Sequence, residues 1–291
     1  MQYEISLNIA YKYDYPAAGG RHLLHMVPKS IEGCQNVEFN EIIIDPVPDE
    51  MVKSTDFFGN HTLHIAFQAP HKSLVFKAKS QITRESIVVP ADTSPLLNQM
   101  KAILKEIRSL SPDSPHHFIG PSQRITSTEC VQNYTLDQIT ADMSVFTIVK
   151  TINQAINRDM TFDSRATQVD TPYEQSFANR HGVCQDFSHI MIACLRSLNI
   201  PAAYVSGYLR TIPPEGKERL EGADAMHAWV RAWLGPDMGW LEFDPTNNII
   251  VNEDHIVIGY GRDYSDISPI KGVLRAEGSQ TSYQSVDVKP L

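Results

Sequence analysis

The stretch RHGVCQDFSHIMIACLRSL, residues 180–198, holds both a helix and the turn that starts it. Phe187, Ile190, Met191, Cys194, Leu195 and Leu198 recur at i, i+3, i+4, i+7, i+8 and i+11, the stripe of a helix packed on a core. Gly182 permits the backbone to turn into this helix, and Asn199 with Pro201 ends it. Cys184 is therefore predicted at the helix N-terminus, where unpaired N–H groups and the positive end of the dipole favour a thiolate. Cys194, inside the stripe, reads as a small buried hydrophobe. Asp186, in the first turn, reads as a cap or dipole partner rather than a reacting group.

A cysteine so placed needs a base and an orienting acid to be a nucleophile. Downstream, AMHAWVRAWL (225–234) alternates, so that His227, Trp229, Arg231 and Trp233 share one face of a strand. The turn Gly235-Pro236-Asp237-Met238-Gly239 leads to a return strand with Trp240, Glu242 and Asp244 on one face. If Asp244 lies opposite Trp229, it is diagonal to His227, about 7 to 8 Å away between backbone positions, a gap that side chains close. A carboxylate there holds the imidazole tautomer while the other ring nitrogen takes the thiol proton. A slip of one residue would place the two on opposite faces.

Toward the N-terminus the pattern is all strand. Ile5, Leu7 and Ile9 alternate with polar neighbours, as do Val37 and Phe39, then Leu63, Ile65 and Phe67, then Leu74 and Phe76. Ala18-Gly19-Gly20, Pro46 to Pro48 and Ala69-Pro70 read as the turns between them, giving a β-sandwich-like domain over residues 1–95. The pairs His22/His25 and His61/His64 point to opposite faces of their strands and do not read as metal ligands. A helical linker over 96–129 follows, carried by Leu96, Leu97, Met100, Ile103, Leu104 and Ile107 and a Pro- and Ser-rich loop with surface residues His116 and His117. Val145, Ile148, Val149, Ile152 and Ile156 then mark a second amphipathic helix.

The formal charge of −9, with 25 basic against 34 acidic residues and no basic cluster, disfavours nucleic acid as a partner. No apolar run approaches the roughly 18 residues of a membrane span. The N-terminus lacks the basic segment and apolar run of a secretory signal, and four cysteines without a CxxC pair suit neither a disulfide scaffold nor structural zinc. Cys184 and Cys194, about 15 Å apart by helical rise, cannot bridge each other. A reducing, cytoplasmic setting fits these features.

Three blocks, GVCQDFSHIMIACLRSLNIPAAYVSGYL, DAMHAWVRAWL and GWLEFDPTNN, resemble the core of the bacterial transglutaminase-like family. Members combine a cysteine-protease-like fold with Cys, His and Asp in this chain order. The resemblance carries the nucleophile to Cys184, the histidine to His227 and the aspartate to Asp244, at spacings of 43 and 17 residues. It implies an α+β fold: the N-terminal β-sandwich-like domain, then a transglutaminase/papain-like core over 130–291 with the cysteine helix packed on an antiparallel sheet and C-terminal strands. It implies a cysteine amide hydrolase or peptidase acting on a peptide or protein through a thioester, with no cofactor and no metal ion. Acyl transfer to an amine uses the same triad, and a non-catalytic peptide-binding module would keep the fold without the chemistry. The acidic cluster Glu215 to Glu221 is interleaved with bases and does not resemble the calcium loop of the animal cross-linking enzymes. The Arg-x-Gly-x-Cys run is similar to that of arylamine acetyltransferases, but the Gln-Asp-Phe that follows departs from their pattern. For the oxyanion, the Cys184 N–H is one donor, with Gln168 and Tyr173 as candidates for the second.

Overall fold

The computed structural model describes residues 1–211, 222 and 224–291 of the chain. Its strand-rich beginning forms β1 (Gln2–Leu24), β2 (Gln35–Asp45), β3 (Glu50–Thr55), β4 (His61–Phe67) and β5 (His71–Arg84). β1 is long enough to serve two sheets. Gln2 to Lys12 pair with β5, whereas Gly20 to Leu24 pair with β4. Register shifts between Lys12 and Ala17 and between Ala18 and Arg21 mark the bend, with Gly19 at φ 63°. Extra residues on one side of an antiparallel ladder bend the strand and raise its twist. Ala18-Gly19-Gly20, expected as a turn between strands, is therefore a kink within one strand. The inward set Ile5, Leu7 and Ile9 packs with Leu74, Phe76 and Ile82 from β5, as alternation requires.

The helices follow: α1 (Leu97–Glu106), a 3-10 turn at Pro115–Phe118, α2 (Glu129–Leu136), α3 (Val145–Asp159), α4 (Tyr173–Asn179) and α5 (Cys184–Ser197). A two-residue bridge joins β6 (Thr161–Phe162) to β7 (His181–Gly182). Then come β8 (Ala202–Leu209), β9 (Ala225–Trp233), β10 (Trp240–Asp244), β11 (Ile249–Ile250) and β12 (His255–Gly261), an antiparallel sheet in the order β11-β10-β9-β8-β12. The predicted apolar stripe of α5 meets Ala228, Val230 and Ala232 of β9 and Val145, Ile148, Val149 and Ile152 of α3 in one core. Each large apolar side chain so buried stabilises by roughly 1.5–3 kcal/mol relative to exposure. The helix is buried beyond its stripe, every residue from Gln185 to Arg196 being enclosed. Arg196 fixes its far end, its guanidinium donating to the carbonyls of Ala202 (2.9 Å), Arg262 (2.6 Å) and, through Nε, Phe118 (3.0 Å).

The chain ends by returning to its start. β13 (Ile270–Arg275) and β14 (Gln280–Pro290) both hydrogen-bond to β1, with Val288 opposite Ile5 and Val286 opposite Leu7. The division at residue 130 groups these strands with the second unit, but their ladder and their side chains belong to the first sheet and its core. Conversely Met100 and Leu104 of α1 and Ile125, from the 96–129 linker, bury in the second core. Tyr208, Ile256 and Ile258 reach from the second sheet into the first core, and Tyr208 Oη donates to the Met26 carbonyl at 2.7 Å.

Candidate active site

Cys184 is the first residue of α5 and is half-buried. The chain enters through extended Val183, and Asp186 reaches back so that its Oδ2 accepts the Val183 N–H at 2.8 Å and the Thr167 hydroxyl at 2.6 Å. Asp186 is thus a cap, as its place in the first turn suggests. Burial pushes its carboxyl pKa upward. Gly182 has a different reason from the one expected. It does not adopt positive φ; rather, a Cβ there would sit 2.5 Å from Ser176 Oγ and 2.7 Å from Asp186 Cβ. Only glycine lets the capping carboxylate come this close. The Asp186 and Phe187 amides donate to the Val183 carbonyl, and those of Cys184 and Gln185 have no acceptor among the described residues.

The hairpin has the register that joins His227 to Asp244. Trp240 pairs with Trp233 and Phe243 with Val230, so one further step brings Asp244 beside Trp229. His227 Nε2 lies 2.7 Å from Asp244 Oδ2, and Asp244 is fully buried. Trp229, two residues on from His227 and so on the same face of the strand, is fully buried. Its indole donates to Glu242 Oε2 at 2.8 Å, and its ring lies 6.0 Å from that of His227. The ring fits because β8 carries Gly207 beneath it, where a Cβ would lie 2.3 Å from the indole and 2.2 Å from the Ile256 carbonyl.

Five donors converge on Asp244. Oδ1 accepts the amides of Thr246 (2.9 Å) and Asn247 (3.2 Å), while Oδ2 accepts from His227, from Asn247 Nδ2 (2.6 Å) and from His255 Nε2 (3.1 Å). Although burial opposes ionisation, these bonds hold the carboxyl well below the usual carboxylate range. Burial also works against the charged form of His227. The Asp244 hydrogen bond, with a hydrogen bond and charge interaction from Cys184, overrides it and pushes His227 up to about 10. The imidazole thus answers to both the thiol and the carboxylate.

His255 and Asn247 were not among the residues singled out from the sequence. Asn247 follows Asp244 by three in a turn, a spacing suited to side-chain caps. His255 opens the apolar strand HIVIGYG, where a lone histidine stands out only by contrast. The side-chain ligand atoms of His227, Asp244 and His255 lie within 4.8 Å of one another. Their nitrogen–oxygen separations of 2.7 and 3.1 Å are hydrogen-bond lengths, shorter than the roughly 3.4 Å between ligand atoms of a tetrahedral ion. Tyr173 is buried with its hydroxyl donating to the Thr126 carbonyl, and Gln168 is exposed. The histidines at 22, 25, 61 and 64 lie on or beside β1 and β4, outside this group. Glu215 to Glu221 lie outside the described residues.

A helix that opens on a cysteine, packed on an antiparallel sheet bearing histidine and aspartate, defines a transglutaminase-like core. A family model for the transglutaminase-like superfamily matches residues 132–245, and one for the bacterial transglutaminase-like N-terminal region matches residues 3–83. An uncharacterized protein of Mycobacterium tuberculosis is 32% identical over 261 residues, covering 87% of this chain and 81% of that protein. One of Mycobacterium leprae is 28% identical over 273 residues, covering 92% and 91%. A solved structure of a candidate cysteine protease from Cytophaga hutchinsonii shares the fold, with a TM-score of 0.76 at 21% identity over 99% of this chain and 89% of that one. The chain belongs to the bacterial transglutaminase-like family. Among the described residues no helix is long and apolar enough to cross a membrane.

Proposed function

We propose that this protein is a cysteine-nucleophile amide hydrolase acting on peptides or proteins through a thioester, with Cys184, His227 and Asp244 as its triad. The observation that carries the reading is the 2.7 Å bond from His227 to buried Asp244, and the influence of Cys184 on the same imidazole supports it. His227 takes the Cys184 proton, and Sγ attacks the amide carbonyl. The Cys184 amide, free at the helix start, supplies a donor to the developing oxyanion. The carbon–nitrogen bond breaks as His227 gives its proton to the leaving amine. Water then attacks the thioester, His227 accepts its proton, and the thiol is restored as the acid departs. Asp244 stays ionised throughout and orients the ring. The unpaired cysteines support a reducing, cytoplasmic setting for this chemistry.

The test is incubation with a peptide library, with and without an added primary amine, followed by mass spectrometry of the products. Cleaved or deamidated peptides are expected with the wild type and absent with Cys184→Ala. Turnover retained in that variant would eliminate the mechanism. Amine-bearing products in place of acids would make the protein a transferase using the same nucleophile.

A further inference from the structure

His255 is the one fully buried ionisable side chain on the Asp244 carboxylate that the reaction above leaves without a task. It opens β12 opposite Leu209 of β8, two residues from Val257, which faces Gly207 and, through it, His227. Its Nε2 meets Asp244 Oδ2 at 3.1 Å and its Nδ1 meets Asn252 Oδ1 at 3.2 Å. Asn252 Oδ1 also accepts the Asp254 N–H at 3.0 Å, which identifies that atom as the amide oxygen. Neither Asn252 Oδ1 nor an ionised Asp244 carries a proton. Both contacts are therefore hydrogen bonds only if both ring nitrogens of His255 donate, the condition of an imidazolium.

We propose that His255 is a positively charged positioning residue that shares the Asp244 carboxylate with His227 and so frees His227 to act as a base. The proposal rests on the triad reading above. Cys184 and His227 share one proton and so carry no net charge as a pair, and the Asp244 carboxylate with the His255 imidazolium is a second neutral pair, so the resting site sums to zero charge. Once the thiolate has become a thioester and His227 has passed its proton to the leaving amine, Asp244 and His255 remain a neutral pair. Without the second cation, the buried Asp244 would have His227 as its only counter-charge and would hold that ring protonated. A protonated His227 cannot accept the proton of the attacking water, so the thioester would persist. The charged and titratable groups around His255 are Asp244 on β10, His227 on β9, and Asp254 in its own loop, which is engaged by Arg210 at 3.4 Å and by the Tyr3 hydroxyl at 3.2 Å.

Two measurements test this. In the wild type, nitrogen-15 spectra of labelled histidines at neutral pH should show both His255 nitrogens protonated; a neutral tautomer would overturn the proposal whether or not the protein turns over a substrate. His255→Gln keeps a neutral donor near Asp244 and removes the charge. That variant should lower kcat roughly ten- to hundred-fold with KM within about two-fold. It should also accumulate the acyl-enzyme and move the acid limb of the kcat–pH profile to higher pH. An active His255→Gln enzyme with unchanged kcat and pH profile would reject the role of His255 while leaving the triad intact. Loss of turnover in Cys184→Ala alone tests the triad and says nothing of His255, so the two failures are distinguishable.

Discussion

His227 Nε2 and Asp244 Oδ2, 17 residues apart in sequence and on neighbouring antiparallel strands, stand 2.7 Å from each other in a site that is closed to solvent on the carboxylate side. The hairpin register sets that distance. Because Trp240 faces Trp233, Asp244 falls on the His227 face and diagonal to it. Four further donors on the carboxylate then fix the orientation in which it meets the imidazole.

Replacing Asp244 by Asn should therefore damage rate more than binding. An amide offers the ring both a donor and an acceptor and lets it take the wrong tautomer, which in a triad costs about 10⁴ in kcat. We expect a fall of about three to four orders of magnitude with KM little changed, read by steady-state kinetics. An unaffected kcat would remove Asp244 from the triad.

The charge on His227 depends on its partner across the ring. In the wild type it should titrate near the alkaline value of about 10. Because the Cys184 hydrogen bond and charge both act to raise it, Cys184→Ala should move that titration to lower pH, while Asp244 continues to support the imidazolium. Histidine-selective NMR titration reads the shift. A His227 titration that is the same in both proteins would show that the thiol and the ring do not interact.

Cysteine labelling should sort by environment. Cys194 is fully buried and its thiol is pushed up to about 12 by that burial, so iodoacetamide should leave it untouched in the folded protein. Cys130 is exposed and is the internal reference. Cys184, beside a histidine, should be alkylated faster than Cys130 at neutral pH. Peptide mapping after a short pulse measures this, and equal rates at the two sites would favour the non-catalytic binding module.

The slot under Trp229 makes a stability prediction. Gly207→Ala forces a methyl against the indole and the Ile256 carbonyl, and overpacking of this kind costs about 3 kcal/mol. Gly120→Ala, where nothing lies within 4 Å, is the matched control and should be near neutral. Urea unfolding of the two variants tests the difference; equal midpoints would mean the indole is not held as described.

What was legible in the sequence followed the range of the contacts. The α5 stripe is a local pattern that sets Cys184 at a helix start, and the alternation of 225–234 and of 240–244 sets the strand faces of His227 and Asp244, whereas the register that brings those two faces together is read only from the hairpin itself. His255 was not legible, because HIVIGYG is buried along its whole length and so carries no alternation. Only the pairing of β12 with β8 brings it to the carboxylate. The return of β14 to β1 was hidden for a related reason. Most of QTSYQSVDVKP is exposed or half-buried, and just Val286 and Val288 enter the core against partners some 280 residues earlier. Gly182 and Gly19 show the limit of reading glycine as a turn: the first makes room for a carboxylate, and the second bends a strand that continues.

The central claim is that Cys184 captures an acyl group, and its most direct measurement is mass spectrometry of the protein quenched in acid during turnover of a peptide or amide substrate. The expected result is a mass increase equal to the acyl fragment, mapped to the peptide containing Cys184, lost on treatment with hydroxylamine and absent from Cys184→Ala. Turnover without any adduct on that peptide, or an adduct on another residue that persists in Cys184→Ala, would contradict it.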